Sequence, residues 1–253
     1  MTSANSDRPV AVLTGAAKGI GLASAHRLMA SGFAIVLVDI HEDDLRNAVA
    51  SLGGGDGIMA VANDVRSYAG TMEAAQDVMR RFGRIDVLVN SAGVSQPKPL
   101  LEISEEEWDF VIDVNLKGTF NWCKAVARHM VEARRGRIIN ISSVNAHTGG
   151  GPSAVSKFAY AASKSGVLGL TRGLARELAP HVAVNAVCPG LVETALTSRM
   201  ISNQGGENIS RAIPMGRIGN PDDIAVFVNM LATIEPNYMT GEIIDVDGGG
   251  AIN

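Results

Sequence analysis

Aromatic side chains are scarce in this chain, at 4% of 253 residues, so its core has to be filled by Ala, Val, Ile, Leu and Met. Cysteine is nearly absent. Cys123 and Cys188 lie far apart in apolar contexts, and neither has a CxxC or Cys/His neighbour. That pattern predicts buried free thiols in a reducing compartment and no metal site. A basic excess is also missing: 22 Lys and Arg stand against 26 Asp and Glu, in no cluster long enough to follow a phosphate backbone. Nucleic acid is therefore not an expected partner. Apolar runs stop short of the roughly 18 residues that a membrane span needs. The segment Met1–Arg8 is short and polar, with no signal-type apolar run after it. A cytoplasmic protein with no membrane contact is expected.

What the chain does have is glycine and small aliphatic residues. Its 28 Gly are scattered without a period and its apolar fraction is 46%, which excludes both a collagen-like fibre and a disordered chain. The length suits one α/β domain, 1–253. Short β-branched runs at Val10–Leu13, Ala34–Val38, Ile58–Val61, Ile85–Val89, Arg137–Ile141, Val182–Val187 and Ile243–Val246 read as strands. They are almost continuously apolar, as strands covered on both faces are. Helical patterns alternate with them at Gly19–Ala30, Asp43–Ser51, Tyr68–Arg81, Glu105–Arg134, Ser156–Ala179 and Pro221–Ala232, the fourth long enough for two helices joined near Gly118. This alternation predicts a doubly wound parallel sheet of about seven strands with helices on both faces. Gly149-Gly150-Gly151-Pro152 is expected to be a loop after the fifth strand, and the weakly periodic stretch from Ala195 to Ile213 a mobile segment.

Directly after the first strand stands Thr14-Gly15-Ala16-Ala17-Lys18-Gly19-Ile20-Gly21, opening into a helical pattern. Glycine is needed where the backbone turns tightly and where a pyrophosphate approaches main-chain N–H groups, and the helix N-terminus adds partial positive charge. The second strand ends at Asp39, eighteen residues beyond Gly21. A carboxylate there accepts hydrogen bonds from ribose hydroxyls and repels a 2′-phosphate, which favours NAD(H) over NADP(H). Lys18 pulls weakly the other way. Further on, Tyr160 and Lys164 are four apart in a helical pattern and so share one face. A nearby ammonium is expected to lower the pKa of the phenol toward neutrality.

With these motifs in order, the chain resembles the short-chain dehydrogenase/reductase family from about Val10 to Gly249. The resemblance is carried by Thr14–Gly21, Asn63-Asp64-Val65, Asn90-Ser91-Ala92-Gly93, Asn115, Asn140-Ile141-Ser142-Ser143, Tyr160-x-x-x-Lys164, Pro189-Gly190 with Thr194, and Val246-Asp247-Gly248-Gly249. It implies a Rossmann-type fold and a catalytic set of Asn115, Ser143, Tyr160 and Lys164. Tyr160 would exchange a proton with the substrate oxygen, Lys164 would tune it and hold the nicotinamide ribose, Ser143 would bond the same oxygen, and Asn115 would support a water relay. The implied cofactor site takes in Gly15, Lys18, Gly19, Ile20, Gly21, Asp39, Asp64, Val65, Asn90, Ala92, Gly93, Tyr160, Lys164, Pro189, Gly190, Val192 and Thr194. Asp64 and Val65 would meet the adenine, and Thr194 the carboxamide. The family also implies a homotetramer.

The chain departs from the family pattern at Ser91, which replaces an Asn, and in the seventeen-residue interval from Ser143 to Tyr160, where His147–Lys157 holds an insertion. It is also about a residue short at Pro180-His181-Val182. His147 has no acidic partner nearby in sequence and is expected to be solvated, while Met200 and Met215 are candidates for an apolar substrate pocket. The implied reaction is hydride transfer between NAD(H) and a secondary alcohol or ketone, first a sugar, polyol or other small hydroxy compound. The alternative within the class is reduction of a 3-oxoacyl thioester, because Ile213-Pro214, Gly216-Arg217 and Pro221-x-Asp223 match such reductases. From another class, a non-catalytic NAD-binding regulator would show a lost catalytic residue, and none is lost.

Overall fold

The computed structural model describes residues 8–150 and 156–251. Seven parallel strands form one sheet in the order β3-β2-β1-β4-β5-β6-β7. They are β1 (Val10–Thr14), β2 (Ala34–Asp39), β3 (Ile58–Ala62), β4 (Val87–Asn90), β5 (Gly136–Ile141), β6 (Val182–Pro189) and β7 (Ile243–Val246). Between them run α1 (Gly19–Ala30), α2 (Glu42–Ser51), α3 (Tyr68–Phe82), α4 (Glu105–Ile112), α5 (Gly118–Glu132), α6 (Asn145–Thr148), α7 (Phe158–Leu178), α8 (Ser198–Gln204), α9 (Gly206–Ala212) and α10 (Pro221–Thr233). The order of the strands reverses between β1 and β4, and in an open parallel sheet the crevice at that point, beyond the strands' C-terminal ends, is where ligands bind.

Side chains alternate across the sheet, and each face has its own core. Ala11, Leu13, Ile35, Leu37, Val87 and Val89 point to the side covered by Leu28 of α1, Leu45 of α2 and Ile224 and Val228 of α10. Val10, Val12, Val36, Leu88, Ile138 and Val184 point to the other side, where α3 adds Val78, α5 adds Trp122 and Met130, and α7 adds Ala175. The unbroken apolar strands are thus explained by burial on both faces. Near their C-terminal ends the second face turns polar, with Thr14 opposite Asn90 and Asn90 opposite Asn140. All three are buried. Asn90 Nδ2 donates to Asn140 Oδ1 at 2.9 Å, and Asn140 Nδ2 to Thr171 Oγ1 of α7 at 2.9 Å. A single chain of hydrogen bonds therefore fixes α7 against β4 and β5, because a buried amide without partners would cost more than the bonds return.

Three local expectations change. The stretch Ala195–Ile213 is largely helical, as α8 and α9, where weak periodicity predicted a mobile segment. Seven-residue helices are too short for periodicity to register. The Gly149 loop is preceded by the four-residue α6, which Gly149 ends at a φ of 74°. Glu105–Arg134 does divide in two near Gly118, but through a π-helical turn at Asp113–Lys117. Gly118 sits so close to α3's approach that a Cβ there would meet Val65 Cγ2 at 2.7 Å. Residues 151–155 of the insertion lie outside the described residues. No helix among the described residues is long and apolar enough to cross a membrane.

The buried amide chain predicts that Asn140→Ala, which strands the Asn90 amide and opens a cavity, loses about 2–4 kcal/mol of stability in urea unfolding. Thr171→Val, which keeps the volume, is expected to lose less.

Candidate active site

The turn after β1 is built for close approach. Gly15 has a φ of 60°, and a Cβ there would lie 2.7 Å from Ala92 Cα and 2.8 Å from Ala92 N. Thr14 Oγ1 accepts hydrogen bonds from Ser91 N at 3.1 Å and Ala92 N at 3.2 Å, so the chain after β4 is pinned to the end of β1. A Cβ on Gly21 would lie 2.3 Å from Gly15 O. Gly19, at a φ of 56°, opens α1. The Lys18 side chain does not cap that helix, and its first turn contains no acidic residue. Uncapped N–H groups at a helix N-terminus favour a phosphate. Asp39 Oδ2 accepts from Ala17 N at 3.2 Å, which places the carboxylate beside this loop. Lys18 Nζ turns away from it to Asp44 Oδ2, 2.7 Å away.

Beyond β3, Asp64 is bonded by the Arg66 guanidinium, which holds its carboxyl below the ordinary range. Val65 is buried against Gly118 and presents little side chain to a ligand. Asn90 departs from its expected place lining the cleft, because its side chain is turned into the interior toward Asn140 and Cys123. Ser91 and Gly93 line the cleft instead, together with Ile20, Pro189, Gly190, Val192 and Thr194. Ala92 acts through its backbone, by meeting Gly15 and Thr14.

Ser143, Tyr160 and Lys164 all line the same cleft. The Tyr160 phenol lies near enough to the Ser143 side chain for that hydroxyl to act on its titration. Ser142 points elsewhere, donating from Oγ to Lys164 O at 2.9 Å, so the substrate-facing hydroxyl is that of Ser143. Lys164 is buried, with Nζ donating to Ile141 O at 2.8 Å and lying 5.7 Å from the centre of the Tyr160 ring. The π-helical turn aims Asn115 inward, since the wider turn shifts its face. Its Oδ1 accepts from Val94 N at 2.8 Å, and its Nδ2 donates to Val94 O and Ser163 Oγ, both at 3.0 Å. A Cβ on Gly93 would lie 3.3 Å from Asn115 Oδ1 and 3.5 Å from Lys164 Nζ, so only glycine leaves this passage open.

Burial pushes the Tyr160 phenol up to about 12, with the Ser143 hydrogen bond acting in the opposite direction. Burial also brings the Lys164 ammonium down to about 8. The expected lowering of Tyr160 by Lys164 is therefore overturned in the protein alone: desolvation disfavours both charged forms and outweighs their proximity. Desolvation thus favours the neutral phenol of Tyr160.

On the far wall, Thr197 Oγ1 donates to Val192 O and accepts from Thr194 N at 3.0 Å, which fixes the segment leading into α8. Ser163, which orients Asn115, and Thr197 are functional residues the sequence did not single out. Ser163 stands beside Lys164, and that adjacency was its only sequence signal. Met215 is exposed and lines a separate depression with Leu191, Phe227 and Val246, and the side chain of Met200 lies outside the described residues. His147 is not simply solvated: its Nε2 is 3.3 Å from Asp245 Oδ1 of β7. That acidic partner is remote in sequence and close only through the fold.

The uncapped α1, the crevice at the switch point and the passage beside Gly93 fit a nicotinamide dinucleotide. Bound there, such a cofactor would donate or accept hydride. The chain matches the short chain dehydrogenase family over residues 9–205. It is 42% identical over 252 residues to the short-chain reductase protein NovJ of Streptomyces niveus, covering 96% of this chain and 94% of that protein. It is 39% identical over 242 residues to the 3-oxoacyl-[acyl-carrier-protein] reductase FabG of Thermotoga maritima, covering 95% and 96%. Among solved structures it superposes on a variant of actinorhodin polyketide ketoreductase with NADPH at a TM-score of 0.91 and 33% identity, covering 98% of this chain and 99% of that one. By its catalytic geometry and these likenesses together, the chain belongs to the short-chain dehydrogenase/reductase family and is an oxidoreductase acting between alcohol and ketone.

Proposed function

We propose that this protein reduces a 3-oxoacyl thioester to the 3-hydroxyacyl thioester with NADH. The observation that supports this reading is Tyr160, which lines the cleft with Ser143 and Lys164 and whose phenol desolvation pushes up to about 12. Ser143 Oγ and Tyr160 would hold the ketone oxygen, and the Tyr160 hydroxyl proton would pass to that oxygen while bound NADH supplied hydride to the carbonyl carbon. Asn115, held at both ends of its amide, keeps the passage beside Lys164 open for the proton that restores Tyr160. For the substrate, the resemblance to a 3-oxoacyl-[acyl-carrier-protein] reductase supports the thioester over the sugar or polyol first expected.

The chemistry of the cleft supports the same choice. A polyol needs several free polar side chains, one for each hydroxyl it buries. Among the described cleft residues, Ser142 is committed to Lys164 O and Thr197 to Val192 O, while Leu196 offers apolar wall outside the residues assigned to the cofactor. An acyl chain suits that wall.

The proposed preference for NADH rests on Asp39, whose carboxylate beside the glycine loop would repel a 2′-phosphate, and on Lys18, which is drawn off toward Asp44. The solved ketoreductase, by contrast, holds NADPH. We propose also that the chain works as a cytoplasmic homotetramer. Phe110 of α4 and Phe120 of α5 are exposed, and both of its thiols are free and buried.

The central assay follows NADH oxidation with an acetoacetyl thioester against a panel of ketoses. The thioester is expected to be the preferred substrate, Tyr160→Phe to lose about 10²-fold or more in kcat, and the reduction rate to fall as pH rises past about 8, where Lys164 loses its ammonium. Faster reduction of the ketoses would overturn the substrate assignment. Comparison of kcat/KM with NADH and NADPH is expected to favour NADH, and Asp39→Ala to shift that ratio toward NADPH by about tenfold, near 1.4 kcal/mol. Light scattering is expected to give four chain masses; a monomer would refute the assembly.

A further inference from the structure

We propose that His147, Cys188 and Asp245 form a binding site for a zinc-class divalent cation beside the catalytic cleft. The backbone prepares two of the ligands. Cys188 and Asp245 are register partners on the neighbouring parallel strands β6 and β7, so their side chains leave the sheet on the same face. That face carries the small cluster of Leu168, Ala186 and Cys188, packed by Val144, Ala146 and Ile243. The third ligand comes from α6, which lies over this cluster and is tied to α7 by Ser165 Oγ donating to Ala146 O at 2.7 Å. His147 Nε2 then stands 3.3 Å from Asp245 Oδ1. The ligand atoms of all three residues lie within 4.8 Å of one another.

A tetrahedral zinc site with one sulfur, one nitrogen and one oxygen ligand holds those atoms about 3.2–3.8 Å apart, given bonds of about 2.0–2.3 Å. The His147–Asp245 pair already has that spacing, and the thiol lies within 4.8 Å of both. One imidazole, one thiol and one carboxylate make a borderline-soft set, which selects zinc or cobalt over magnesium or calcium. The side chains of His147 and Asp245 are 23% and 24% exposed, which leaves an entry path and room for a water as fourth ligand. Cys188, fully covered, forms the floor. On binding, its thiol proton leaves to solvent and the sulfur bonds the metal.

The site is independent of which substrate the cleft reduces, so its test does not depend on that assignment. The tag-free full chain is titrated with Zn²⁺ by calorimetry, and with Co²⁺ by absorbance. Expected are one ion per chain, a cobalt–thiolate charge-transfer band, and no displacement by excess Mg²⁺. Cys188→Ser should abolish the band. His147→Ala, on the exposed α6, should weaken binding more than about tenfold while circular dichroism stays unchanged, so that it carries the test even where the buried substitution disturbs folding. Cys123→Ser, on the sulfur that contacts Asn90 far from α6, should keep the band. Absence of a thiolate band in the wild-type protein, its survival in Cys188→Ser, or unaltered affinity in His147→Ala would overturn the proposal.

Discussion

The contact on which the rest of the structure depends is the meeting of two main chains, just past β1 and just past β4. Gly15 and Ala92 approach so closely that one added methyl group would overlap backbone, and Thr14 Oγ1 holds both Ser91 N and Ala92 N. Because the strand order reverses between these two strands, drawing them together shapes the crevice the sheet leaves there. The glycine turn supplies an uncapped helix start on one side of it. The segment after β4 supplies Gly93, the narrow passage to Lys164, on the other.

From that crevice the chemistry extends along the second face of the sheet. The buried row Thr14, Asn90 and Asn140 ends on Thr171 of α7, two helical turns beyond Lys164. The helix that carries Tyr160 and Lys164 is thus anchored by amides inside the core as well as by contacts at its exposed face. The same burial that makes the anchoring firm strips solvent from the catalytic pair. A phenol pushed up to about 12 and an ammonium brought down to about 8 are two results of one cause, desolvation. Rigidity and proton-donor chemistry therefore arise together, since a more exposed Tyr160 would be both less fixed and more easily ionised.

Much of this was legible in the chain itself. The seven strands stand out because each is buried on both faces and so reads as an unbroken apolar run, and the glycine turn stands out because a side chain there would collide. Asn115, Ser143, Tyr160 and Lys164, the residues expected to be catalytic, are picked out by the resemblance to the family, through their spacing and order. The sequence was silent where structure depends on distance in space or on short elements. Asn90 looked like a cleft residue by its motif, yet its side chain serves the interior. His147 looked solvated because its acid lies on β7, and α8 and α9 escaped notice because two turns of helix carry too little period. The phenol's protonation was misjudged for a related reason: the pairing with Lys164 is visible in sequence, whereas the burial that outweighs it is a property of the assembled fold.

These limits also separate how the protein reacts from what it reacts with. The reacting groups sit on β5, α7 and the π-helical turn, elements locked by core packing and by amide hydrogen bonds at both ends of Asn115. The chain after β4 and the segment into α8 also border the cleft, and they are held by more local bonds. The first of these is fastened through Lys157 N donating to Gln96 O at 2.7 Å and Ser156 Oγ to Ser95 Oγ at 2.9 Å, both at the start of α7. The chain after β4 and the helix that carries Tyr160 are therefore joined directly, so the placement of the one constrains the placement of the other.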